Sequence, residues 1–546
     1  MRLTRDLKSP LHRARVAAAF ALAAGAGLLA AASGGQPPDN GSRWWSYVEY
    51  LASDQMQGRQ TGSPEHRKAA EYVAAQFEKD GLKAAGEQGY VQPVKFKTLQ
   101  LDESRSSLAL VRGGESESVA IGPEAIISAR VDPAPKVSAA LIFVGYGLRA
   151  PESHYDDLAG LDTKGKIAVF MGGGPSSMPG ALISHYSSSA ERWKAFRSAG
   201  IIGAISISNP KHMDLPWSRI AASRTQVTMR LAAPGMNDAE GEQIAITWNP
   251  ERAEDLLRGT GHTLEEIVAA AEAKKQLPRF EIPATLEATT SVKRGEVESQ
   301  NVAAVWPGSD PKLKNQYVVM TAHLDHVGVG TPIDGDRIYN GAMDDASGVA
   351  SLLDIAGRLA ATGAKTRRSL LFVAVTGEEK GLLGSKYFAG RPTVRAQDIV
   401  ADINCDMFLP LFPLRILTVY GLDESTLGND VRAIASKMRI RIQPDPEPSR
   451  NVFIRSDQYS FILHGVPSLM LDFGAEKGSP EAAIQKRWLS ERYHAPSDDL
   501  NQPVDKPAAA EFDTFVMKLM ERVADAPARP EWKRESFFSR YRTAAQ

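Results

Sequence analysis

Several short stretches of this chain carry side chains able to hold a metal ion or move a proton. They are His323-Leu324-Asp325-His326, Asp344-Asp345, Glu378-Glu379, Asp406 and Tyr493-His494. The 546 residues include one cysteine, Cys405, which excludes a thiolate zinc knuckle and an internal disulfide framework. Any metal must therefore be held by imidazole and carboxylate, and the chain has ten histidines in all. That donor set suits zinc and related divalent ions, whose hydrolytic use is to activate water. Each residue alone has an ordinary alternative. His323 can be a hydrogen-bonded core histidine. Asp344 and Asp345 can cap the helix beginning near Ala346. Glu378 and Glu379 can be first-turn acids that favour the following helix dipole. Asp406 can accept from turn amides, and His494 can be an exposed loop residue.

Their common placement is what the separate readings leave unexplained. From Asn301 to about Ala524, strand-like apolar runs alternate with helical periodicity. Strands are predicted at 302–306, 317–322, 369–376, 399–406, 415–420 and 467–473. Helices are predicted at 346–361, 381–390, 424–438 and 507–523. Nearly continuous apolar strands alternating with helices imply an α/β fold of three layers, a mostly parallel (mixed) sheet covered by helices. In such open sheets ligands bind beyond the carboxyl ends of the strands. His323 follows the strand at 317–322, Glu378 and Glu379 follow 369–376, and Asp406 ends 399–406. Asp344 and Asp345 open the helix at 346, and His494 lies in a late loop. Three strands thus end in metal-ligand types on one edge, where Gly, Asn, Ser or Pro are commoner.

The rest of the chain narrows the class. With 64 basic and 65 acidic residues the net charge is −1, which leaves no overall field for nucleic acid or an acidic membrane. A 43% apolar and 24% charged composition is that of a globular protein. The start differs. Arg2, Arg5, Lys8, Arg13 and Arg15 precede Val16–Ala32, an uncharged run rich in Ala and Gly. This is the pattern of an export signal over residues 1–33. The run is weakly apolar and shorter than the roughly 20 residues that span a bilayer. Cleavage near Ala32, a periplasmic or secreted location and no stable membrane insertion are expected, and the lack of a following cysteine argues against a lipid anchor. Residues 138–235 have their own texture, with "ALIFVGYG", "KIAVFMGG" and "IIGAISIS" as short strands and a helix near Glu191 to Ser198. They read as a small α/β insert. Glu65 to Asp80 has helical spacing closed by Gly81, and 528–546 reads as a charged, peripheral tail.

In order and spacing, "TAHLDHVG", "YNGAMDDASGVASLLDIA", "TGEEKGLLGSKYF", "INCDMF", "FIRSDQYSFILHGVPSL" and "YHAPSDD" resemble one family. It is that of the secreted bacterial di-zinc aminopeptidases, which also contains glutamate carboxypeptidase-type enzymes. "LASDQMQGRQTGSPEHRKAAEYVAAQFEKDGL" matches as well, and the insert resembles a protease-associated domain. The resemblance covers about residues 45–525. It implies a zinc-exopeptidase-like fold, with the N-terminal part of the peptidase at 34–137, the insert at 138–235 and the catalytic domain at 236–527. It implies two Zn2+ ions: His323 and Asp406 would hold one, Glu379 and His494 the other, and Asp344 would bridge both. Glu378 would be the general base, and Asp325 would orient His323. The substrates would be peptides, shortened from the amino end.

The chemistry agrees with that assignment. Three carboxylates and one hydroxide balance two dications, so a neutral cluster can sit in a partly buried cleft. Successive side chains in extended backbone point opposite ways, so Glu379 can ligate while Glu378 faces the water. Glu378 would take the water's proton and pass it to the leaving amine. A carboxylate two residues past His323 can hold its second ring nitrogen. Tyr493 can donate to a tetrahedral intermediate or simply pack. Arg455 and Asp457 can line a pocket or pair with each other, and His326 and Cys405 read as structural. Many family members carry Asp-Asn where this chain has Asp344-Asp345; the second position is not a metal ligand. Two alternatives stay open. One is a carboxypeptidase of the same family, with Arg455 holding the substrate carboxylate. The other is a non-catalytic, zinc-stabilised peptide-binding protein, against which the intact Glu378 argues.

Overall fold

Every residue of the strand Ser369–Val375 is buried, and so is every residue of Ile399–Asn404. Strands of that kind need cover on both faces. The computed structural model, which describes residues 41–213, 215–447 and 452–542, supplies it. Successive residues of Ser369–Val375 feed different cores, as period-2 geometry requires. Leu370, Phe372 and Ala374 pack with Trp44, Val349, Leu353, Phe515 and Leu519 of the helices Ser42–Leu51, Ser347–Thr362 and Lys506–Asp525. Leu371, Val373 and Val375 pack with Phe388 and Phe461 of Leu383–Gly390 and Gln458–Ile462.

The large sheet has ten strands among the described residues. In spatial order they are Thr228–Leu231, Val91–Leu101, Val292–Trp306, Ser369–Val375, Tyr317–His323, Ile399–Asn404, Ser468–Phe473, Ile416–Tyr420 and Arg441–Gln443, with Lys83–Ala84 added on Val292–Trp306. The centre, from Ser369–Val375 to Ser468–Phe473, is parallel, and antiparallel pairs flank it. The three-layer mixed α/β expectation is met. Register then places the chemistry. His323 pairs with Val375 and Thr321 with Asn404. The residues that follow these strands therefore leave the sheet at one edge. The helix expected from 381 begins at Leu383, because Gly381 and Leu382 both take positive φ. Helix Pro480–Glu491 was not expected.

Two expectations need correction. The second sheet, of eight strands, does not coincide with 138–235. It runs Glu115–Val119, Ser107–Arg112, Arg279–Thr289, Lys136–Val144, Ile167–Met171, Gly203–Ile207, Ile244–Trp248 and Ala125–Ile127. Thr228–Leu231, inside the expected insert, instead pairs with Val91–Leu101 of the large sheet. The apolar middle strands stand out in the sequence, whereas an edge strand such as Glu115–Val119 is mostly exposed and leaves no apolar signature. The expected export signal, residues 1–33, lies outside the described residues. Among those described, no helix is long and apolar enough to cross a membrane.

The tail is the second correction. Trp532 and Phe538 are buried against Tyr420, Phe453, Tyr459, Ile462 and Met470. Trp532 Nε1 donates to the Gly465 carbonyl at 2.8 Å. The tail's charges are interleaved with aromatic rings whose burial outweighs them. Trp532→Ala is expected to lower the unfolding free energy by about 3–5 kcal/mol in urea titrations. A loss within about 0.5 kcal/mol, the range of surface substitutions, would restore the peripheral reading.

Candidate metal centre

His323 closes the strand Tyr317–His323 and is 1% exposed. Its Nδ1 lies 3.0 Å from the Asp325 carbonyl oxygen. A carbonyl only accepts, so Nδ1 carries a proton and Nε2 is the ring nitrogen turned toward the carboxylates. It faces Asp344 Oδ1 at 3.1 Å and Asp406 Oδ1 at 3.4 Å and is the atom a cation would take. The expected role of the Asp325 carboxylate is thus corrected: the main-chain carbonyl of the same residue orients His323. The carboxylate accepts from Thr61 Oγ1 at 2.7 Å and from the Glu378 amide at 3.1 Å, so it holds the Glu378 backbone instead. The tight chain reversal after His323 brings the carbonyl, not the side chain, back to the ring.

A second group adjoins the first. His494 Nε2 lies 3.2 Å from Asp344 Oδ2 and 3.2 Å from Glu379 Oε2. Asp344 thus turns one oxygen to His323 and the other to His494. His326, which reads as structural in the sequence, joins them with Nδ1 2.8 Å from Glu379 Oε1. His323, Asp344, Glu379, Asp406 and His494 are all brought together, and a third imidazole with them.

The donor set fits a divalent cation. The sets His323, Asp344, Asp406 and His326, Asp344, Glu379 each converge within 4.8 Å. Both ring nitrogens of His326, Asp344 Oδ2 and Glu379 Oε1 are buried, and their close approaches lack hydrogen-bond geometry. Buried polar atoms without partners are rare, and a cation among lone pairs would satisfy them together.

Charge is concentrated here. Burial pushes the Glu378 carboxyl well above the usual range; His323 opposes this, and Glu379, Asp406 and Asp457 reinforce it. Burial works against protonation of His323 and His494, but the facing carboxylates outweigh it and hold both imidazoles well above their ordinary value. Burial pushes the Tyr493 phenol up to about 12. A cavity of about 110 Å³ opens on His323, Asp344, Glu378, Asp406, Tyr493 and His494, and Met407, Val452, Met470 and Leu489 form its apolar wall. Arg455 also lines it, whereas Asp457 is fully buried.

Three residues outside the expected ligand set hold the parts of the site in place: Asp345, read from the sequence as a helix cap, and Asp498 and Arg59, which sequence reasoning did not single out. Asp345 accepts from the amides of His323 at 3.1 Å, Gly348 at 2.9 Å and Met407 at 3.2 Å, tying three ligand-bearing segments together. A Cβ at Gly348 would meet the Cys405 carbonyl at 2.1 Å, so the helix start can come this close only as glycine. Asp498 accepts from the amides of Met343 and Asp344. Arg59 is fully buried and donates to the carbonyls of Leu51, Leu324, Asn340 and Gly341. Burial pulls it down to about 10, against Asp498, Asp345, Asp325 and Asp344. Asp345 and Asp498 stand beside expected site residues, but nothing in Arg59's neighbourhood marks it.

Residues 301–520 match the family model described as Peptidase family M28. This segment is similar to the M28 peptidases. Leupeptin-inactivating enzyme 1 of Streptomyces exfoliatus is 25% identical over 332 residues, 59% of this chain and 65% of its own length. A probable leucine aminopeptidase 2 of Aspergillus fumigatus is 30% identical over 213 residues, 37% of this chain and 39% of its own. Both matches span less than two thirds of the relative. The aminopeptidase from Aneurinibacillus sp. strain AM-1 shares the fold, with a TM-score of 0.55 over 90% of this chain and 95% of that one at 21% identity.

Two outcomes follow for this site. The facing carboxylates favour protonation of His323 and His494 in the metal-free protein, whereas a cation takes the unprotonated rings. Zinc binding at pH 7 is therefore expected to release protons, with apparent affinity rising with pH. The stability those imidazolium ions lend the metal-free fold is present below pH about 6.5 and lost as pH rises through their raised values. Calorimetry in buffers of different ionisation enthalpy reads the release, and buffer-independent heats would contradict it. Asp345→Ala leaves three amides without an acceptor and is expected to weaken zinc binding roughly 10–100-fold in chelator competition; unchanged affinity would remove Asp345 from the support of the site.

Proposed function

We propose that the protein is an exported, zinc-dependent aminopeptidase that removes amino-terminal residues from peptides. The observation that carries this reading is the Asp344 carboxylate, split between the His323–Asp406 and the His494–Glu379 groups, with Glu378 in the wall of the same small cavity. His323, Asp406 and Asp344 would hold one ion, and Asp344, Glu379 and His494 the second. When bound, two zinc ions supply polarisation of the scissile carbonyl and acidification of water.

The chain's own groups do the rest. Glu378 is fixed through its amide by Asp325, takes the proton of the attacking water and delivers it to the leaving amine. Burial raises its carboxyl, which suits transfer in both directions near neutral pH. The Tyr493 hydroxyl stabilises the carbonyl oxygen as charge develops there. Met407, Val452, Met470 and Leu489 receive the first side chain, in keeping with the leucine aminopeptidase name of one relative. The unit built on the second sheet would be the protease-associated insert. Its Arg219 donates to the Tyr493 carbonyl at 2.8 Å, so it flanks the site and limits access. The basic start and small-residue run at 1–33 support export. A carboxypeptidase is the second reading, supported by Arg455 in the cavity wall.

A leucyl chromogenic amide and its N-acetylated twin separate these. Chelator-stripped protein should cleave only the free amine, and only with zinc restored. Cleavage of neither, with release of the last residue from a blocked peptide, would favour the carboxypeptidase. Glu378→Gln should lower kcat by about 100–10,000-fold with zinc content unchanged. Activity within a few-fold of the natural protein would remove Glu378 from the proton-transfer role.

A further inference from the structure

Lys380 directly follows Glu379, is 7% exposed, and makes no ion pair or side-chain hydrogen bond among the described residues. Its stem is buried, but Nζ is not among the buried partnerless atoms, and Glu379 and Asp325 act on it only at a distance; lysine is almost never buried unless paired. Glu379 is not that partner. Its Oε1 faces His326 and its Oε2 faces His494. Lys380 instead lies in the wall of a cavity of about 310 Å³ whose lining also includes Glu379 and His494, so this space adjoins the metal centre.

The rest of that wall has the same sign. Arg130 lines it, is exposed, and pairs with no carboxylate among the described residues. Its Nη1 stands 3.9 Å from the position of a Cβ on Gly381, which puts it beside Lys380. Arg219 lines it too, already engaged with the Tyr493 and Ser490 carbonyls. Ser128 and Thr247 add hydroxyls. The small apolar cavity lies on the His323–Asp406 side of the centre, and this basic one on the Glu379 side; both share His494. The two cavities meet at His494, so a peptide whose first side chain filled the former would have room to extend its next residue into the latter.

We propose that the Lys380–Arg130 cavity binds a carboxylate of the substrate on the leaving side of the cut bond. Preferred substrates are then short peptides with a carboxylate on the second residue. It is either the chain-terminal carboxylate of a dipeptide or an Asp or Glu side chain. This rests on the aminopeptidase reading above. The competing role for Lys380 is to offset the carboxylates of the centre, which would affect every substrate alike.

The test compares kcat/KM for leucyl-glycine, leucyl-glycinamide and leucyl-glutamic α-amide in the zinc-loaded natural protein, Lys380→Met, Lys380→Arg and Arg130→Gln. The natural protein should prefer at least one carboxylate substrate over leucyl-glycinamide by about tenfold or more, the worth of a hydrogen bond to a charged group. Preference for leucyl-glycine alone identifies the terminal carboxylate, and preference for leucyl-glutamic α-amide alone identifies the side chain. Lys380→Met should bring the ratio close to one through KM, Lys380→Arg should keep most of it, and Arg130→Gln, at the surface, should reduce it without a folding penalty. A ratio near one in the natural protein, or equal losses on all three substrates in Lys380→Met, overturns the proposal. If no substrate is cleaved, the aminopeptidase reading fails, and glutamate binding by calorimetry decides the site on its own. Binding weakened tenfold by Lys380→Met supports it; no binding to the natural protein overturns it.

Discussion

The structure depends on how the charge of Asp344 is shared. One of its oxygens faces His323 and the other His494. Around it, Glu378, Glu379 and Asp406 are drawn into the same small volume, and Asp345 and Asp498 lie just behind. Carboxylates this close repel one another, and burial removes the water that would screen them. The protein's own cations answer only part of this. Arg59 sits buried behind the centre with its donors on four carbonyls. The imidazoles in front are those a metal would use.

That economy explains the local architecture. Parallel register delivers His323, the Glu378–Glu379 pair and Asp406 to one edge of the sheet, each a short step past its strand. Register alone leaves the loops free to splay. Asp345 joins the end of strand Tyr317–His323, the start of helix Ser347–Thr362 and the turn after Asp406 through three amide contacts. Asp498 ties the Asp344 backbone to the loop that carries His494. Thr61 and Arg59, from one segment near the start of the described chain, hold Asp325 and the carbonyls around it. Carboxylates outside the expected ligand set hold these loops through backbone amides. This is the outer support that metal-site ligands generally need.

How much of this is legible in the sequence follows from the physics of each feature. Apolar runs buried on both faces, such as Ser369–Val375, announce themselves, and so do polar residues at their ends. The five expected ligands stand together for that reason. Edge strands do not announce themselves. Glu115–Val119 is mostly exposed, and Thr228–Leu231 is short, so the second sheet's extent and the partner of Thr228–Leu231 were hidden. Long-range contacts are equally silent. Nothing local shows that the Asp325 carbonyl rather than its carboxylate would reach His323. Nor does anything local show that His326 would face Glu379, or that the aromatic residues of the tail would bury against Tyr420 and Phe453. Each is decided by where a distant segment lands.

The central claim is that one carboxylate, Asp344, serves two cations at once. Zinc content per chain, measured by elemental analysis after equilibrium dialysis at buffered free zinc, tests it most directly. The account predicts two zinc ions per chain in the natural protein and a loss of high-affinity binding at both positions in Asp344→Ala. One zinc per chain in the natural protein, or two retained with unchanged affinity in Asp344→Ala, would contradict it.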